Sequence, residues 1–176
     1  MGISAFESGV RKAIPAVLIY ARSGGRVLMI HRNAGDTARP GDYHSGKWNG
    51  LGGKSEADES PLESAQREFH EEAGIDLPLE AFRPLGVLTF PNFKALKKED
   101  WMVFVFTIEM TAADVARVST RNDEGELHWV PVSDLHSLSL WAGDRHFMPY
   151  VAENRSFIGT IWYQGQEVLR YWIQAL

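Results

Sequence analysis

Three glutamates, Glu68, Glu71 and Glu72, follow an i, i+3, i+4 spacing that an α-helix gathers on one flank. Two full charges about 6 Å apart repel by roughly 3 kcal/mol at an effective dielectric near 20, so the cluster must face water or meet a cation. A divalent ion would turn the repulsion into binding. A solvated acidic face is the plain alternative, and the three residues alone do not choose between the two. Gly52 and Gly53 stand shortly before them, and without side chains they can bring backbone carbonyls close to a ligand or ion. Carboxylates, carbonyls and water form the hard-oxygen set that suits magnesium or manganese.

The helix that must carry these glutamates is marked at both ends. Ser60-Pro61-Leu62-Glu63 reads as a capping box with proline at the first helical position, and Gly74 supplies the left-handed residue that stops the turn. The spacing predicts a helix over 60–73 whose stripe Leu62, Ala65, Phe69 and Ala73 faces the core. Around it, 13–20 and 27–31 read as a hairpin turning at Ser23-Gly24-Gly25. Residues 33–45 read as a polar loop. Strand character recurs at 85–90, 101–110 and 126–130, a short helix fits 144–153, and 157–163 with 167–172 form a closing hairpin about Gln164-Gly165. No internal repeat or linker interrupts the chain. Strands with two well separated helices predict helices packed on a mixed sheet, an α/β (α+β) arrangement.

Composition narrows the chemistry. At 176 residues the chain fits a single domain spanning 1–176. Hydrophobic residues at 44% and charged ones at 23% belong to a globular protein with a sizeable core. A net charge of −5 speaks against a clamp on duplex DNA or RNA, which needs a basic patch. The absence of cysteine removes disulfides, thiolate metal sites and a cysteine nucleophile together. The apolar stretch 13–21 is too short for a bilayer and the first eleven residues lack the layout of a secretion signal; a cytoplasmic protein without membrane contact is expected.

Gly53, Glu59, Arg67-Glu68-Phe69, Glu71-Glu72, Gly74 and Ile75 match every fixed position of the Nudix box, and residues 53–75 therefore resemble the Nudix hydrolase family. The resemblance implies the Nudix α/β/α sandwich and cleavage of a nucleoside diphosphate linked to another group. It also implies that Glu68, Glu71 and Glu72 hold the metal with the Gly52 carbonyl, and that Arg67 and Glu59 pair to orient them. Arg67 could equally make an ordinary helix ion pair. Metals bridging the phosphates would lower the pKa of a bound water, and Glu71, Glu72 or Glu124 could take its proton. Glu124 sits in the acidic loop Asn122-Asp123-Glu124-Gly125. In the family a glutamate in that loop approaches the metals; the plain reading is a surface-loop acid.

Beyond the box, residues 47–54, the run 88–93, Trp141 with Asp144, and the ending 157–166 resemble MutT-like 8-oxo-dGTP diphosphatases. A purine needs aromatic planes and polar groups for its edge. Trp141 and Phe90 could supply the planes, Asn49 and Asp144 could read the edge, and Arg32 could reach a phosphate. Core packing is the plain reading of the two aromatics, and a helix N-cap that of Asp144. Where the mammalian type has adjacent aspartates this chain has Gly143-Asp144, and Pro91 lies where a proline also marks ADP-ribose hydrolases. Three readings follow: hydrolysis of (8-oxo-)dGTP or a related purine triphosphate to monophosphate and pyrophosphate; a Nudix enzyme for ADP-ribose, nucleotide sugars or RNA 5′ ends; and a nucleotide sensor without catalysis. A small nucleotide is the expected partner, magnesium or manganese the expected cofactor, and a monomer or homodimer the expected assembly.

Overall fold

The computed structural model describes residues 10–32 and 45–176, so the loop expected at 33–45 lies almost wholly outside the described residues. Its strands are β1 (Lys12–Ser23), β2 (Arg26–Arg32), β3 (Trp48–Asn49), β4 (Arg83–Lys94), β5 (Glu99–Glu109), β6 (Gly125–Pro131), β7 (Phe157–Gln164) and β8 (Glu167–Ala175). Its α-helices are α1 (Pro61–Ala73), α2 (Ala112–Val115) and α3 (Asp144–Ala152). The strands form one mixed sheet in the order β3-β2-β1-β5-β4-β7-β8, with β6 along the other edge of β2. The pairs β1·β5 and β4·β7 are parallel and the rest antiparallel. The fold is therefore a mixed sheet flanked by helices, as expected.

Both faces of the sheet are covered, which explains why its inner strands read as apolar runs rather than alternating ones. Val17, Ile19, Ala21, Leu28 and Ile30 pack with Ala65, Phe69 and Ala73 of α1. On the opposite face Ala16, Tyr20, Val27 and Met29 pack with Phe147, Met148 and Val151 of α3. The stripe read on α1 is the one that is buried, with Leu62 packed at its margin. Ser60 accepts from the Glu63 N–H and the Glu63 carboxylate accepts from the Ser60 N–H, while Gly74 ends the helix at φ +73°.

The first hairpin is more open than its sequence suggests. Gly24 and Gly25, at φ +54° and +74°, make the tight turn, yet β1 and β2 pair only through Arg22↔Val27 and Ser23↔Arg26. Beyond these the strands splay, and the segment after β3 enters the gap: Ile19 and Leu51 exchange N–H···O bonds of 2.7 and 3.1 Å, and the Val17 N–H donates to the Gly53 carbonyl at 2.8 Å. Gly52, at φ +132°, lies so close that a Cβ there would stand 2.2 Å from the Val17 carbonyl oxygen. The wedge brings the glycine pair against α1. The short helix α2 was not expected, although Thr111 and Asp114 form a capping box that marks its start.

Candidate active site

The three α1 glutamates part company in the structure. Glu72 is 7% exposed and accepts the Gly52 N–H at 2.7 Å. Burial, together with the nearby charges of Glu124 and Glu68, pushes its carboxyl from 4.5 up to about 8. Glu68 is half-buried; burial raises its carboxyl, and the Arg67 guanidinium works in the other direction. Glu71 points outward, its side chain 55% exposed, and meets the margin of Arg67 at 3.4 Å. Gly53 is a matter of space: a Cβ there would meet the Glu68 carboxylate at 2.7 to 2.8 Å.

Arg67 is the organiser. Its Nε and Nη2 clasp Glu59 at 2.7 and 3.0 Å, Nη1 donates to Glu68 at 2.8 Å, and Nη2 also reaches the Lys54 carbonyl at 3.1 Å. A planar fork suits such a shared clamp in a way a lysine would not. Arg67 and the Glu56 N–H together hold the Glu59 carboxyl down at about 2, and Ser64 Oγ donates to it at 2.8 Å. This network exceeds the simple helix ion pair that the sequence left open for Arg67.

Glu124 reaches the same place from the loop before β6. Asn122 Oδ1 accepts the N–H groups of Glu124 and Gly125 at 2.8 and 3.0 Å, and Asn122 Nδ2 donates to the Glu72 carbonyl at 3.1 Å. The loop is thereby fastened to the end of α1 by Asn122, a contact between segments fifty residues apart that no local pattern marks. Arg32 forms an ion pair with Glu124, so its guanidinium faces a carboxylate that borders Glu72.

Among the described residues no three acidic groups already enclose a point where an ion would sit. The donor set nonetheless fits a hard divalent cation. Two shielded carboxylates, Glu68 and Glu72, converge with Glu124 closely enough to raise the Glu72 pKa, and like charges so placed are relieved by a cation. Gly52 and Gly53 leave backbone room beside them.

Of the residues expected to meet a base, Phe90 and Asp144 lie on the α3 side of the sheet. Asp144 is 7% exposed, and burial drives its carboxyl from 3.8 up to about 7, with the Lys47 charge opposing. It is the first residue of α3, and Gly143 before it holds the cap position without a side-chain cap. The alternative reading of Asp144 as an N-cap is therefore corrected: its carboxylate is not spent on the helix start. Tyr163 Oη accepts the Gly143 N–H at 2.8 Å, and a Cβ at Gly143 would lie 2.0 Å from that hydroxyl. Asn49 Oδ1 accepts the Gly50 N–H at 3.0 Å, and Lys47 Nζ stands 5.8 Å from the Trp141 ring centroid. Phe90 is 6% exposed and packs 6.2 Å from Tyr163, ring to ring. These contacts are those of its core-packing reading.

Tyr20 was missed from sequence, where it looks like one more apolar strand residue. It is fully buried, its hydroxyl has no hydrogen-bond partner, and the Asp144 charge helps burial raise its pKa. A groove of about 320 Å³ lies elsewhere, between residues 132–137 and α3, lined by Leu135, Leu140 and Met148 among others. None of the candidate site residues lines it.

Comparison with known proteins agrees with this architecture. The NUDIX domain model matches residues 10–151, and the chain belongs to the Nudix family, whose enzymes cut pyrophosphate bonds and generally use divalent metal ions. It is similar to the uncharacterized Nudix hydrolase YvcI of Bacillus subtilis (strain 168), with 32% identity over 72% of this chain and 78% of that one. The oxidized purine nucleoside triphosphate hydrolase of Danio rerio shares 26% identity over 86% of this chain and 88% of its own. A mutator MutT protein from Bacillus halodurans superposes with a TM-score of 0.74 at 25% identity, covering 91% of this chain and 97% of that one. No helix among the described residues is long and apolar enough to cross a membrane.

Proposed function

We propose that this chain hydrolyses (8-oxo-)dGTP or a related purine nucleoside triphosphate to the monophosphate and pyrophosphate. The observation that carries the choice of substrate is the buried pair Tyr20 and Asp144, close enough for the Asp144 charge to act on the phenol. The Tyr20 hydroxyl makes no hydrogen bond of ordinary distance and angle, and the Asp144 carboxyl, 7% exposed, is raised by burial with the Lys47 charge opposing. Buried polar atoms left this way require a ligand or ordered water, and the edge of a purine offers matching donors and acceptors. Asn49, Trp141 and Phe90 would complete that site. The likeness to the oxidized purine nucleoside triphosphate hydrolase supports the same choice.

Magnesium, or manganese in its place, would be held by Glu68, Glu72, Glu124 and the Gly52 carbonyl, with Glu71 completing the set. When bound, the ion supplies charge neutralisation at the phosphates and a water acidic enough to lose its proton near neutral pH. Arg67, fixed by Glu59, keeps the Glu68 carboxylate aimed inward. Glu71, the exposed glutamate, and Glu124, once Arg32 releases it, are the groups placed to take a proton from the attacking water. That water attacks phosphorus and one P–O bond breaks. Arg32 could exchange Glu124 for a phosphate oxygen once substrate arrives, freeing the carboxylate it now holds.

The test is product analysis over normal and oxidised dNTPs, ADP-ribose, nucleotide sugars and 5′-triphosphorylated RNA, with magnesium and with chelator. Monophosphate plus pyrophosphate, made fastest from purine triphosphates, is the expected pattern. Preferential cleavage of ADP-ribose would overturn the substrate, and nucleotide binding without any turnover would favour a sensor. Glu71→Gln is expected to lose turnover while still binding nucleotide; near-normal rates would remove Glu71 from the mechanism.

A further inference from the structure

Gly143 is a glycine for want of room. Its φ of −71° is one that any residue adopts, yet a Cβ there would lie 2.0 Å from the Tyr163 hydroxyl oxygen and 3.2 Å from Ile161 Cγ2. The volume a side chain at 143 would begin to fill is therefore held by a phenol that β7 delivers from twenty residues along the chain. A bulge accompanies it. Trp162 pairs with Arg170 and Tyr163 with Val168, leaving Leu169 outside the ladder, and bulges beside functional sites commonly re-aim a side chain.

What the phenol can do there follows from its partners. Its oxygen accepts the Gly143 N–H at 2.8 Å, so that lone pair is taken and the O–H proton is what remains to be given. Burial, with the Asp144 charge adding to it, pushes the hydroxyl above its ordinary 10.0, and the proton stays in place near neutral pH. The same charge acts on Tyr20, which groups both phenols about the Asp144 carboxyl. The Tyr163 ring is one wall of an aromatic cluster, 6.2 Å from Phe90 and 5.7 Å from Phe93, and Phe93 in turn meets Trp101 at 5.2 Å. Phe93 is 37% exposed, so the cluster opens to water at one end and offers ring faces to a flat base.

We infer that Tyr163 is a specificity-determining residue, its hydroxyl giving a hydrogen bond to the exocyclic carbonyl oxygen of a 6-oxopurine whose edge Asp144 also meets. This rests on the reading above that the substrate is a purine nucleotide. A 6-amino group would set its N–H against the O–H, and two buried donors facing each other leave both unsatisfied. Guanine and hypoxanthine nucleotides are thereby favoured over those of adenine.

The probes are dGMP and dAMP, titrated calorimetrically into the full chain, with kcat/KM for dGTP, dITP and dATP measured beside them. The wild type is expected to bind dGMP at least about tenfold more tightly than dAMP, the size of one well-made hydrogen bond. In Tyr163→Phe that ratio should fall to within about threefold, through lost affinity for dGMP. A role confined to bracing the start of α3 would weaken both monophosphates alike and leave the ratio where it was; that result would overturn the inference, as would a wild type with no preference. dITP keeps the carbonyl without the 2-amino group and should follow dGTP, whereas a dITP that follows dATP would assign the choice to the amino group and away from Tyr163. If Tyr163→Phe does not fold, Gly143→Ala decides, since its Cβ displaces the hydroxyl while its backbone suits alanine; the same loss of preference is expected. A Tyr163-dependent preference for dGMP in a protein that cleaves no purine triphosphate would keep the inference and discard the reaction. Purine triphosphate turnover whose base preference is unchanged in Tyr163→Phe would do the reverse.

Discussion

A carboxylate is judged by what surrounds it, and Glu72 and Asp144 are the two whose surroundings matter most here. Glu72 sits almost out of water with its oxygen on the Gly52 N–H. Glu72→Gln preserves that contact but removes the charge a cation needs. Turnover is expected to fall at least about 10²-fold, the usual scale for loss of a charge-stabilising group, with the fold intact; steady-state kinetics and circular dichroism check it. Asp144 gives a pH signature. Its carboxyl is raised from 3.8 to about 7, so the folded state holds that proton more tightly than the unfolded chain. Its contribution to stability is greatest below 3.8 and falls as pH rises through 7. Asp144→Asn is expected to flatten that slope and to be more stable at pH 8 by up to about 4 kcal/mol, measured by urea unfolding. The same variant should raise KM for purine triphosphates about tenfold or more, because a buried edge contact is lost.

At the scale of elements, α1 and the glycine segment act as one unit. Ser60→Ala removes one half of a reciprocal cap and should cost about 1 kcal/mol, read by thermal or urea unfolding, with modest loss of activity. Gly53→Ala is a sharper test. Its Cβ would overlap the Glu68 carboxylate at 2.7 Å, so Glu68 must turn away from the site. Activity is expected to drop at least about 10²-fold for a stability change of about 1–2 kcal/mol. A variant with full activity would show that the inward Glu68 position is dispensable. The start and stop of α1 were legible because Ser60, Glu63 and Gly74 act through backbone groups a few residues away. The opening of β1 from β2 was not legible, since it depends on a segment some thirty residues along the chain inserting between them.

For the whole molecule, metal and folding should be linked. An ion that binds only the folded state adds about 2.7 kcal/mol at a hundred times its Kd, so magnesium should raise Tm and chelator should reverse the rise. In Glu72→Gln that rise is expected to shrink or vanish; an equal shift in both proteins would place the stabilising ion elsewhere. By itself the sequence determined the covalent spacing of Glu59, Arg67, Glu68, Glu71 and Glu72, the helix that carries them, the family they mark and the mixed arrangement of strands. These are local or periodic properties, fixed by hydrogen bonds and side-chain repeats over a few residues. Only the tertiary structure decided that Glu72 is shielded while Glu71 faces water. It also decided that Asn122 ties the Glu124 loop to α1, that the Tyr20 hydroxyl is buried without a hydrogen bond of ordinary distance and angle, and that the Tyr163 hydroxyl takes the room beside Gly143. Burial and long-range electrostatics depend on which distant segments pack together, and the two-sided sheet, not the order of residues along any one strand, sets that.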